Sequence, residues 1–274
     1  SIRFRLMAQG RGEIKALLER HGIRPKRRLG QNFLGDPNLV DRIVRTASVG
    51  PDDRVVEVGA GTGTLTRALA ATGAAVLAFE VDPRLLPVLD EVLVGLEVEV
   101  RSEDVTKSDL GAILGAGPWT MVANLPYNVG TPLLLDVLRH VTVVTRMVVM
   151  VQREVADRLV ATAGSKSYGL PSIVAQLNAA ARVAFTVPPD VFFPVPEVES
   201  AVVVMERVTA PRLSEAAIEL ASVAFQQRRK MLRRSLVDVL HDPSATLAAA
   251  GISETARPEE LRPADFLRLA EVVS

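Results

Sequence analysis

The sequence of 274 residues contains no cysteine and only three histidines. Without cysteine the chain has no disulfide, no thiolate nucleophile and no cysteine-based zinc site. The histidines, His21, His140 and His241, are scattered, and their spacing predicts neither a metal site nor a catalytic triad. No apolar run approaches the roughly 18–20 residues of a membrane span, and the basic N-terminus lacks the apolar core of a secretory signal. We therefore expect a cytoplasmic protein that acts without a metal ion and without a membrane partner.

An excess of charge of either sign is also absent, since 32 lysines and arginines balance 32 aspartates and glutamates. The basic residues are nevertheless clustered. Residues 1–34 hold nine of them against Glu13 and Glu19, and residues 228–234 hold five without an acid. Local basic patches determine contact with a phosphate backbone better than net charge does, so two clusters favour RNA or DNA contact over a merely solvated face. The candidate contact residues are Arg27, Arg28, Arg228, Arg229, Lys230, Arg233 and Arg234.

Short apolar runs alternate with helical patterns through the first two-thirds of the chain. Strands are predicted at 54–58, 76–80, 96–101, 120–123 and 143–151. Continuous apolar runs of this length are typical of the buried strands of a parallel sheet covered by helices on both faces. Two later runs, 182–187 and 201–208, follow a helix predicted at 170–180 and need no helix between them. The pattern predicts a doubly wound, Rossmann-like α/β sheet that ends in an antiparallel hairpin.

The character of the sequence changes at about residue 209. Patterns rich in Ala, Leu and Glu follow, punctuated by proline and without a convincing strand, so a small all-helical domain is predicted. We therefore expect three parts: a partly helical N-terminal extension over 1–23, a sheet domain over 24–208, and a helical C-terminal domain over 209–274 that contacts RNA or the ribosome.

A glycine-rich turn follows the first clear strand and opens a helix. Its sequence from Glu57 to Gly63, EVGAGTG, places glycines where the backbone turns tightly and approaches a ligand. The turn lies at the carboxyl edge of the sheet, where open α/β sheets bind ligands. It does not meet the dinucleotide fingerprint G-x-G-x-x-G, because Thr64 or Thr66 stands at the last position. The spacing is instead similar to the glycine loop of S-adenosylmethionine methyltransferases, and a generic strand–helix turn is the alternative.

Carboxylates are predicted at the ends of the next two strands. Glu80 ends the second strand and is placed to accept hydrogen bonds from a ribose diol. Asp82 is the alternative, but its position before a proline is better suited to capping the helix that begins there. Glu103 and Asp104 end the third strand, where a carboxylate could bind the adenine amino group of a bound adenosine. We favour Asp104 and keep Glu103 as the alternative.

Asn124-Leu125-Pro126-Tyr127 closes the apolar run 119–123 with residue types suited to holding an adenine amine. That amine is a poor nucleophile because its lone pair is delocalised into the ring. The Asn124 side-chain oxygen and a neighbouring backbone carbonyl can both accept its hydrogens and so localise the lone pair. Pro126 stiffens the turn, and Tyr127 offers a flat face for a base, a contact worth roughly 1–3 kcal/mol. The alternative is a strand end that runs into an ordinary proline turn.

Taken together, these motifs resemble the small-subunit ribosomal RNA adenine N6-dimethyltransferases of the KsgA/RsmA type. The resemblance covers about 24–236 and keeps the order of the family's motifs. Residues 29–34 (LGQNFL) resemble its N-terminal cofactor motif. Residues 192–200 (FFPVPEVES) match its target-base motif F-x-P-x-P-x-V-x-S, and residues 224–232 (AFQQRRKML) resemble the start of its C-terminal helical domain.

The resemblance implies an S-adenosylmethionine methyltransferase domain that dimethylates two adjacent adenosines in the hairpin loop near the 3′ end of 16S ribosomal RNA. It also implies a monomer that acts on the immature small ribosomal subunit. Asn124 and the Leu125 carbonyl would hold the target amine, while Tyr127 and Phe192 flank the adenine. We expect Phe192 to be exposed in its proline-flanked loop. The implied cofactor contacts are Gln31, Asn32, Leu34, Glu57, Gly59, Gly61, Glu80, Asp104 and Asn124.

Three other functions fit parts of the pattern. One is the related large-subunit ribosomal RNA adenine methyltransferase that confers macrolide resistance, but the QRRKMLRRSL helix and the F-x-P-x-P loop favour the small-subunit type. Another is a DNA adenine methyltransferase, which more typically carries a DPPY-like or NPPY-like tetrapeptide. The third is a ribosome-assembly factor that binds RNA without catalysis. The cofactor set of Glu57, Gly59, Glu80 and Asp104 indicates that cofactor binding has been kept.

Overall fold

The structure is a computed structural model that describes residues 8–274. Arg3 and Arg5 of the N-terminal basic cluster lie outside the described residues, and so does the side chain of Arg27. The described part forms nine strands: β1 (Phe33–Leu34), β2 (Arg54–Val58), β3 (Ala75–Phe79), β4 (Val98–Arg101), β5 (Trp119–Asn124), β6 (Val144–Gln152), β7 (Ala179–Val187), β8 (Phe192–Phe193) and β9 (Ser200–Arg207).

The described part also forms twelve α-helices. They are α1 (Arg11–Arg20), α2 (Pro37–Ala47), α3 (Thr64–Ala70), α4 (Leu86–Val92), α5 (Leu110–Leu114), α6 (Gly130–His140), α7 (Arg153–Leu159), α8 (Leu170–Asn178), α9 (Ser214–Gln226), α10 (Leu232–Ser235), α11 (Pro243–Ala249) and α12 (Pro263–Val273). None of these helices has the length and apolar character that a membrane span requires.

Seven strands form one sheet in the order β4-β3-β2-β5-β6-β9-β7. The pairs β2–β3, β2–β5, β3–β4 and β5–β6 are parallel, and β9 runs antiparallel to β6. The predicted doubly wound α/β sheet is therefore confirmed, with β9 and β7 as neighbours at one edge. The strand order reverses between β2 and β5, and such a reversal leaves a crevice at the carboxyl ends, where open α/β sheets bind ligands.

The central strands are apolar because both faces of the sheet are covered. Val55 of β2, Val122 of β5 and Val148 of β6 are all fully buried. They lie in one hydrophobic cluster with Val40 of α2 and Leu69 of α3. Strands buried on both faces need continuous rather than alternating apolar residues, which is why these runs are readable in the sequence.

Side-chain caps fix where several helical segments begin. Asp36 accepts hydrogen bonds from the backbone N–H groups of Asn38 and Leu39, at 2.8 and 3.1 Å, and so caps α2. Asp82 accepts from the backbone N–H of Arg84 at 3.3 Å and caps the short 3-10 turn that precedes α4. The capping role predicted for Asp82 is therefore confirmed.

One helix boundary differs from its prediction. The helical pattern extends to residue 180, but α8 ends at Asn178 and β7 begins at Ala179. Alanine has the highest intrinsic helix propensity, so the run 179–181 reads as helix in isolation. Its place in the sheet overrides that local preference.

A second, two-stranded sheet was not predicted. β1 pairs antiparallel with β8, with Phe33 opposite Phe193 and Leu34 opposite Phe192. The Gly35 N–H extends the pairing by donating to the carbonyl of Val191 at 2.9 Å. This ribbon joins the LGQNFL motif to the FFPVPEVES motif. Strands of two residues carry no periodic signal, so the sequence could not reveal their pairing.

The ribbon corrects the expectation for Phe192. Its side chain is 0% exposed and lies in the same hydrophobic cluster as Leu34 and Val202. Phe192 is therefore a core residue rather than an exposed aromatic beside a base. Neighbouring side chains on a strand point to opposite sides, and the next residue, Phe193, is only partly buried.

The chain forms two compact units. The first comprises the residues up to 156 together with 182–206, and the second comprises 157–181 together with 207–274. Residues 157–181, which the sequence pattern placed in the sheet domain, thus belong to the second unit. The C-terminal part is helical, as predicted.

The second unit contains a row of three aromatic rings. The ring centroids of Tyr168 and Phe225 are 6.1 Å apart, and those of Phe225 and Phe266 are 6.4 Å apart. Contacts at this spacing are favourable beyond the area that they bury. The Tyr168 hydroxyl donates to the carbonyl of Leu261 at 2.8 Å, so this buried phenol keeps a hydrogen-bond partner.

The substitution Phe192→Ala should lower the free energy of unfolding by about 3–5 kcal/mol, because it deletes a buried phenyl ring and leaves a cavity. Val195→Ala, in the same loop but at a side chain that is 51% exposed, should change it by less than about 0.5 kcal/mol. Chemical denaturation of both variants and the parent measures the difference. Equal unfolding free energies for the two variants would contradict the burial of Phe192.

Candidate active site

A cavity opens at the carboxyl ends of β2, β3 and β5, where the strand order reverses. Its volume is about 610 Å³ including space open to solvent. Eight of the nine predicted cofactor residues line it: Gln31, Asn32, Leu34, Glu57, Gly59, Gly61, Glu80 and Asn124. The fold therefore brings together motifs that are almost 100 residues apart in sequence.

The loop after β2 has a backbone conformation that glycine adopts readily and other residues do not. Gly59 and Gly61 have φ values of 83° and 59°. A Cβ at Gly61 would lie 3.0 Å from the ring of Phe33, so a side chain there would displace that ring. The Gly59 N–H donates to the carbonyl of Phe79 at 2.8 Å, which ties the loop to the end of β3. At these two positions the loop consequently presents backbone without a side chain to the cavity.

Glu57 is a buried acid on the cavity wall. Its side chain is almost fully buried, and its Oε2 atom has no hydrogen-bond partner among the described residues. The pKa of Glu57 is raised to about 8, mainly by burial and to a smaller extent by the nearby Glu80 carboxylate. A carboxyl group this deeply buried is costly in its charged form. Glu57 is therefore largely protonated at neutral pH.

Glu80 is buried beside Glu57 but has donors. Its Oε2 accepts from the Gly61 N–H and its Oε1 from the Asp82 N–H, both at 2.8 Å. Burial raises the pKa of Glu80, and these two backbone donors act in the opposite direction. Glu80 thus accepts two hydrogen bonds, whereas the Oε2 of Glu57 accepts none from the described residues.

Asp82 does not line the cavity, but it fixes the position of Gln31, which does. Its buried carboxylate accepts from Gln31 Nε2 at 2.9 Å and from Arg84 Nε at 2.9 Å. The hydrogen bonds from Arg84 hold the pKa of Asp82 well below its usual range. The other end of the Gln31 amide accepts from the Lys26 N–H at 2.7 Å. Both ends of Gln31 are thus engaged within the protein, and the segment that carries it is fixed against β3.

Asp104 and its alternative Glu103 are not among the residues that line the cavity. Asp104 caps the turn Val105–Lys107 by accepting from the N–H and the hydroxyl of Thr106, at 3.1 and 2.6 Å. The hydrogen bond from the Thr106 hydroxyl lowers the pKa of Asp104. Glu103 accepts from the hydroxyl of Ser108. Contact between Asp104 and a bound adenine stays a prediction.

The turn after β5 presents two unused acceptors. The Asn124 Nδ2 donates to the carbonyl of Asn32 at 3.0 Å, which fixes the amide. Its Oδ1 and the Leu125 carbonyl oxygen accept no hydrogen bond from the part of the chain that the structure describes. The Pro126 carbonyl accepts from the Gly130 N–H at 2.7 Å and closes the turn rigidly. This is the acceptor pair that the sequence predicts for an amine.

A groove adjoins the cavity and shares a wall with it. Residues 30–32 line both spaces. The rest of the groove is lined by Tyr127, Asn128, Gln152 and residues 194–198. Asn128 and Gln152 were not predicted. Gln152 is the last residue of β6, just as Asn124 is the last of β5, and a polar residue at the end of an apolar strand was the available signal.

Gly30 allows residues 30–32, which line both the cavity and the groove, to approach the tetrapeptide turn closely. Its φ is 63°, and a Cβ there would lie 2.9 Å from the Asn128 Oδ1 and 3.1 Å from the Tyr127 backbone nitrogen. The Asn128 amide donates to the carbonyl of Arg28 at 2.9 Å, which closes the contact from the other side. The LGQNFL segment is therefore built against the tetrapeptide turn.

Two of the predicted RNA-contact residues in the second unit form ion pairs with other residues of that unit. The Arg228 Nε lies 2.7 Å from a carboxylate oxygen of Glu259, and its Nη2 donates to the Lys166 carbonyl at 2.9 Å. The Arg233 Nη1 lies 3.1 Å from Glu254. These two arginines hold segments of their own unit together. The number of predicted basic residues available to contact RNA is therefore smaller than the sequence suggests.

Four of the other predicted cations are exposed and form no ion pair with the residues that the structure describes. Arg229, Lys230 and Arg234 are exposed and form no ion pair with any residue that the structure describes. Arg28 is also exposed and lies next to the segment that lines the groove. Free cations rather than anchored ones are available to phosphate groups, so these four are the stronger candidates.

The fold and the site define a Rossmann-like methyltransferase, because a G-x-G-x-G loop without the pyrophosphate fingerprint adjoins a turn that offers acceptors to an amine. The profile of the ribosomal RNA adenine dimethylase family matches residues 22–274. The chain therefore belongs to the ribosomal RNA adenine dimethylase family.

Individual relatives agree with this assignment. The ribosomal RNA small subunit methyltransferase A of Leifsonia xyli is 46% identical over 271 residues, which cover 95% of this chain and 97% of the relative. That of Kineococcus radiotolerans is 43% identical over 267 residues, covering 94% and 89%. The crystal structure of the 23S rRNA methyltransferase ErmE has a TM-score of 0.66 at 27% identity, covering 88% of this chain and 99% of that one.

The substitution Glu57→Gln should remove a pH dependence of stability. The pKa of Glu57 is about 8 in the folded protein against 4.5 for an ordinary glutamate, so the folded state binds the extra proton. Stability is kept below about pH 4.5 and is lost as the pH rises toward 8, by up to about 1.4 kcal/mol per unit. The Gln variant should escape this loss and exceed the parent in unfolding free energy at pH 8.

Urea denaturation across this pH range measures the effect. Glu97→Gln, at an exposed glutamate of the same unit, is the matched control and should follow the pH profile of the parent. If Glu57→Gln follows it too, Glu57 is not protonated in the folded protein.

Proposed function

We propose that this chain is an S-adenosylmethionine-dependent ribosomal RNA adenine N6-dimethyltransferase. Its substrate is the pair of adjacent adenosines in the hairpin loop near the 3′ end of 16S ribosomal RNA, in the immature small subunit, and it acts as a cytoplasmic monomer. One observation carries the proposal. The tetrapeptide turn contributes Asn124 and Pro126 to the cavity and Tyr127 to the groove, so a small molecule and a base can meet across it.

The cavity fits S-adenosylmethionine in the chemistry of its walls. The glycine loop leaves room at Gly59 and Gly61 for close approach to the ligand. Glu57 lines the cavity as a buried acid, and Glu80 lies where a ribose diol is bound in related folds. Asn32 and Leu34 complete the lining. Bound there, S-adenosylmethionine would supply an electrophilic methyl group on a sulfonium.

The turn activates the amine by position rather than by proton abstraction. The Asn124 Oδ1 and the Leu125 carbonyl accept hydrogen bonds from adenine N6 and aim its lone pair into the cavity. Both acceptors also stabilise the positive charge that develops on N6, the inverse of an oxyanion hole. Because the turn is rigid before substrate arrives, this alignment adds little ordering cost to the reaction.

The groove binds the target adenine after it has been unstacked from the neighbouring bases of the RNA. Unstacking a nucleotide costs a few kcal/mol and costs least in a loop, which supports a hairpin-loop target. Tyr127 lines the groove and provides the aromatic face. Since Phe192 is buried, the second side of the base would meet residues 194–198 instead. The names of the two relatives described above support the small subunit over the large one as the source of the RNA.

The substitution Asn124→Ala should reduce the rate of methylation by at least about 100-fold, the scale seen when one preorganised group is removed from an active site. Cofactor affinity should fall but stay measurable, because seven other predicted cofactor residues still line the cavity. Incorporation of labelled methyl groups into 16S ribosomal RNA from a strain that lacks the modification measures the rate, and calorimetry measures the affinity.

Two companion measurements separate the possible outcomes. Asn124→Asp keeps an acceptor but loses the donor to the Asn32 carbonyl, so its activity should lie between those of the parent and the Ala variant. Mass spectrometry of both ribosomal RNAs identifies the methylated nucleotides. Near-normal activity of Asn124→Ala would reject the role of this residue, and methylation of 23S RNA alone would reject the substrate.

Replacing Arg229, Lys230 and Arg234 together by glutamine should weaken RNA binding and leave cofactor binding unchanged. Each phosphate contact adds roughly 0.7–0.9 to the slope of log affinity against log salt, so loss of three contacts should lower the slope by about 2–3. Filter binding at several salt concentrations measures it. Arg228→Gln is the contrast, since it should lower thermal stability through its lost ion pair with Glu259. An equal loss of cofactor affinity in the triple variant would argue against a docking surface.

A further inference from the structure

We propose that the buried hydroxyl of Ser200 is a positioning group that holds the ring of Tyr127 and thereby sets the place at which the target base stacks. This role rests on the proposed function, because it concerns the groove that receives the base. Ser200 does not line the groove or the cavity, so it acts through Tyr127 and not on the substrate.

The position of the Ser200 hydroxyl is set by the sheet. Ser200 is the first residue of β9, is 0% exposed, and pairs in register with Gln152 at the end of β6. The preceding residue, Glu199, accepts a backbone hydrogen bond from Arg153 at 2.9 Å. A hydroxyl held at the end of two paired strands is a fixed point, unlike one on a mobile loop.

The Ser200 hydroxyl meets the phenol of Tyr127. The two oxygens are 2.6 Å apart, and no other hydrogen bond reaches the Ser200 hydroxyl from the described residues. A buried hydroxyl that loses its partner carries a desolvation penalty. The phenol oxygen of Tyr127 is therefore favoured next to the Ser200 hydroxyl, and the ring is held at its outer end.

The inner end of Tyr127 is held as well. The turn before it is closed by the hydrogen bond from Gly130 to the Pro126 carbonyl, and Gly30 packs against the Tyr127 backbone. With both ends fixed, the ring cannot swing away from the groove to follow a misplaced base. Its face toward residues 194–198 becomes a preformed stacking platform.

The phenol oxygen itself is not a catalytic base. Burial raises the pKa of Tyr127 above its ordinary value, so the group is neutral at physiological pH. Its partner is also a neutral hydroxyl. The hydrogen bond between them therefore orients the ring and moves no proton in the reaction.

A double-mutant cycle tests the proposal with four proteins: the parent, Ser200→Ala, Tyr127→Phe and the double variant. Each single variant should lower kcat/KM for 16S RNA by about 2- to 12-fold, the range expected when one ordered side chain regains its rotational freedom. The double variant should lose no more than either single variant, because both remove the same hydrogen bond. The loss should fall mainly on kcat, since orientation and not docking is impaired.

Cofactor affinity gives the readout that a merely structural role would move. Calorimetry with S-adenosylmethionine should return the same dissociation constant for all four proteins, because neither side chain lines the cavity. Ser102→Ala, at an exposed serine of the same unit, is the matched control and should keep the parental kcat/KM.

Three results would overturn the proposal: parental kcat/KM in Ser200→Ala, losses that multiply in the double variant, or weaker cofactor binding in Ser200→Ala. The failure of the proposed function is distinguishable, because the parent would then methylate no adenine in 16S RNA.

Discussion

The hydrogen bond from the Asn124 side chain to the Asn32 carbonyl joins two segments that are 92 residues apart, and the geometry of the whole site depends on it. It leaves the Asn124 oxygen as a free acceptor, and it holds the N-terminal segment against the turn as a common wall. Two neighbouring hydrogen bonds hold the same segment in place. Gln31 is tied to Asp82, and Asn128 is tied to the Arg28 carbonyl. Because every contact in this set positions the same short segment, the hydrogen bonds together hold the shared wall of the cavity and the groove in place.

The three acids near the cavity show how local donors decide the charge state of a buried group. Asp82 accepts from an arginine and an amide, and it is held ionised. Glu80 has two backbone donors and Glu57 Oε2 has none. The same side-chain chemistry therefore yields a structural anion, a polar acceptor and a largely neutral acid within 26 residues of chain. Only Glu80 and Glu57 line the cavity, so its wall combines an acid that accepts two hydrogen bonds with a largely neutral acid, while Asp82 holds the neighbouring segment in place.

The sequence predicts those parts of the structure that local patterns encode. The parallel strands, the glycine loop, the Asp82 cap and the acceptor turn each lie within a few consecutive residues, so periodicity and turn chemistry reveal them. Pairing between distant segments is different. The ribbon of Leu34 with Phe192 depends on two residues in each strand, and the anchoring of Arg228 depends on Glu259, which lies 31 residues away. For this reason the sequence suggested an exposed Phe192 and a uniformly available basic cluster, and both were revised by the fold.

Catalysis by position also explains why so few conventional catalytic side chains are needed. His21 lies within hydrogen-bond distance of Glu91 and His140 of Asp136, and neither histidine lines the cavity or the groove. The sequence has no cysteine to serve as a nucleophile. A direct transfer from an activated methyl donor requires no covalent intermediate, only an amine that is aligned and a charge that is stabilised as it forms. Under the proposed function, two neutral acceptors on a proline-stiffened turn would meet that requirement, and a charged base close to them would instead compete for the protons that orient the amine.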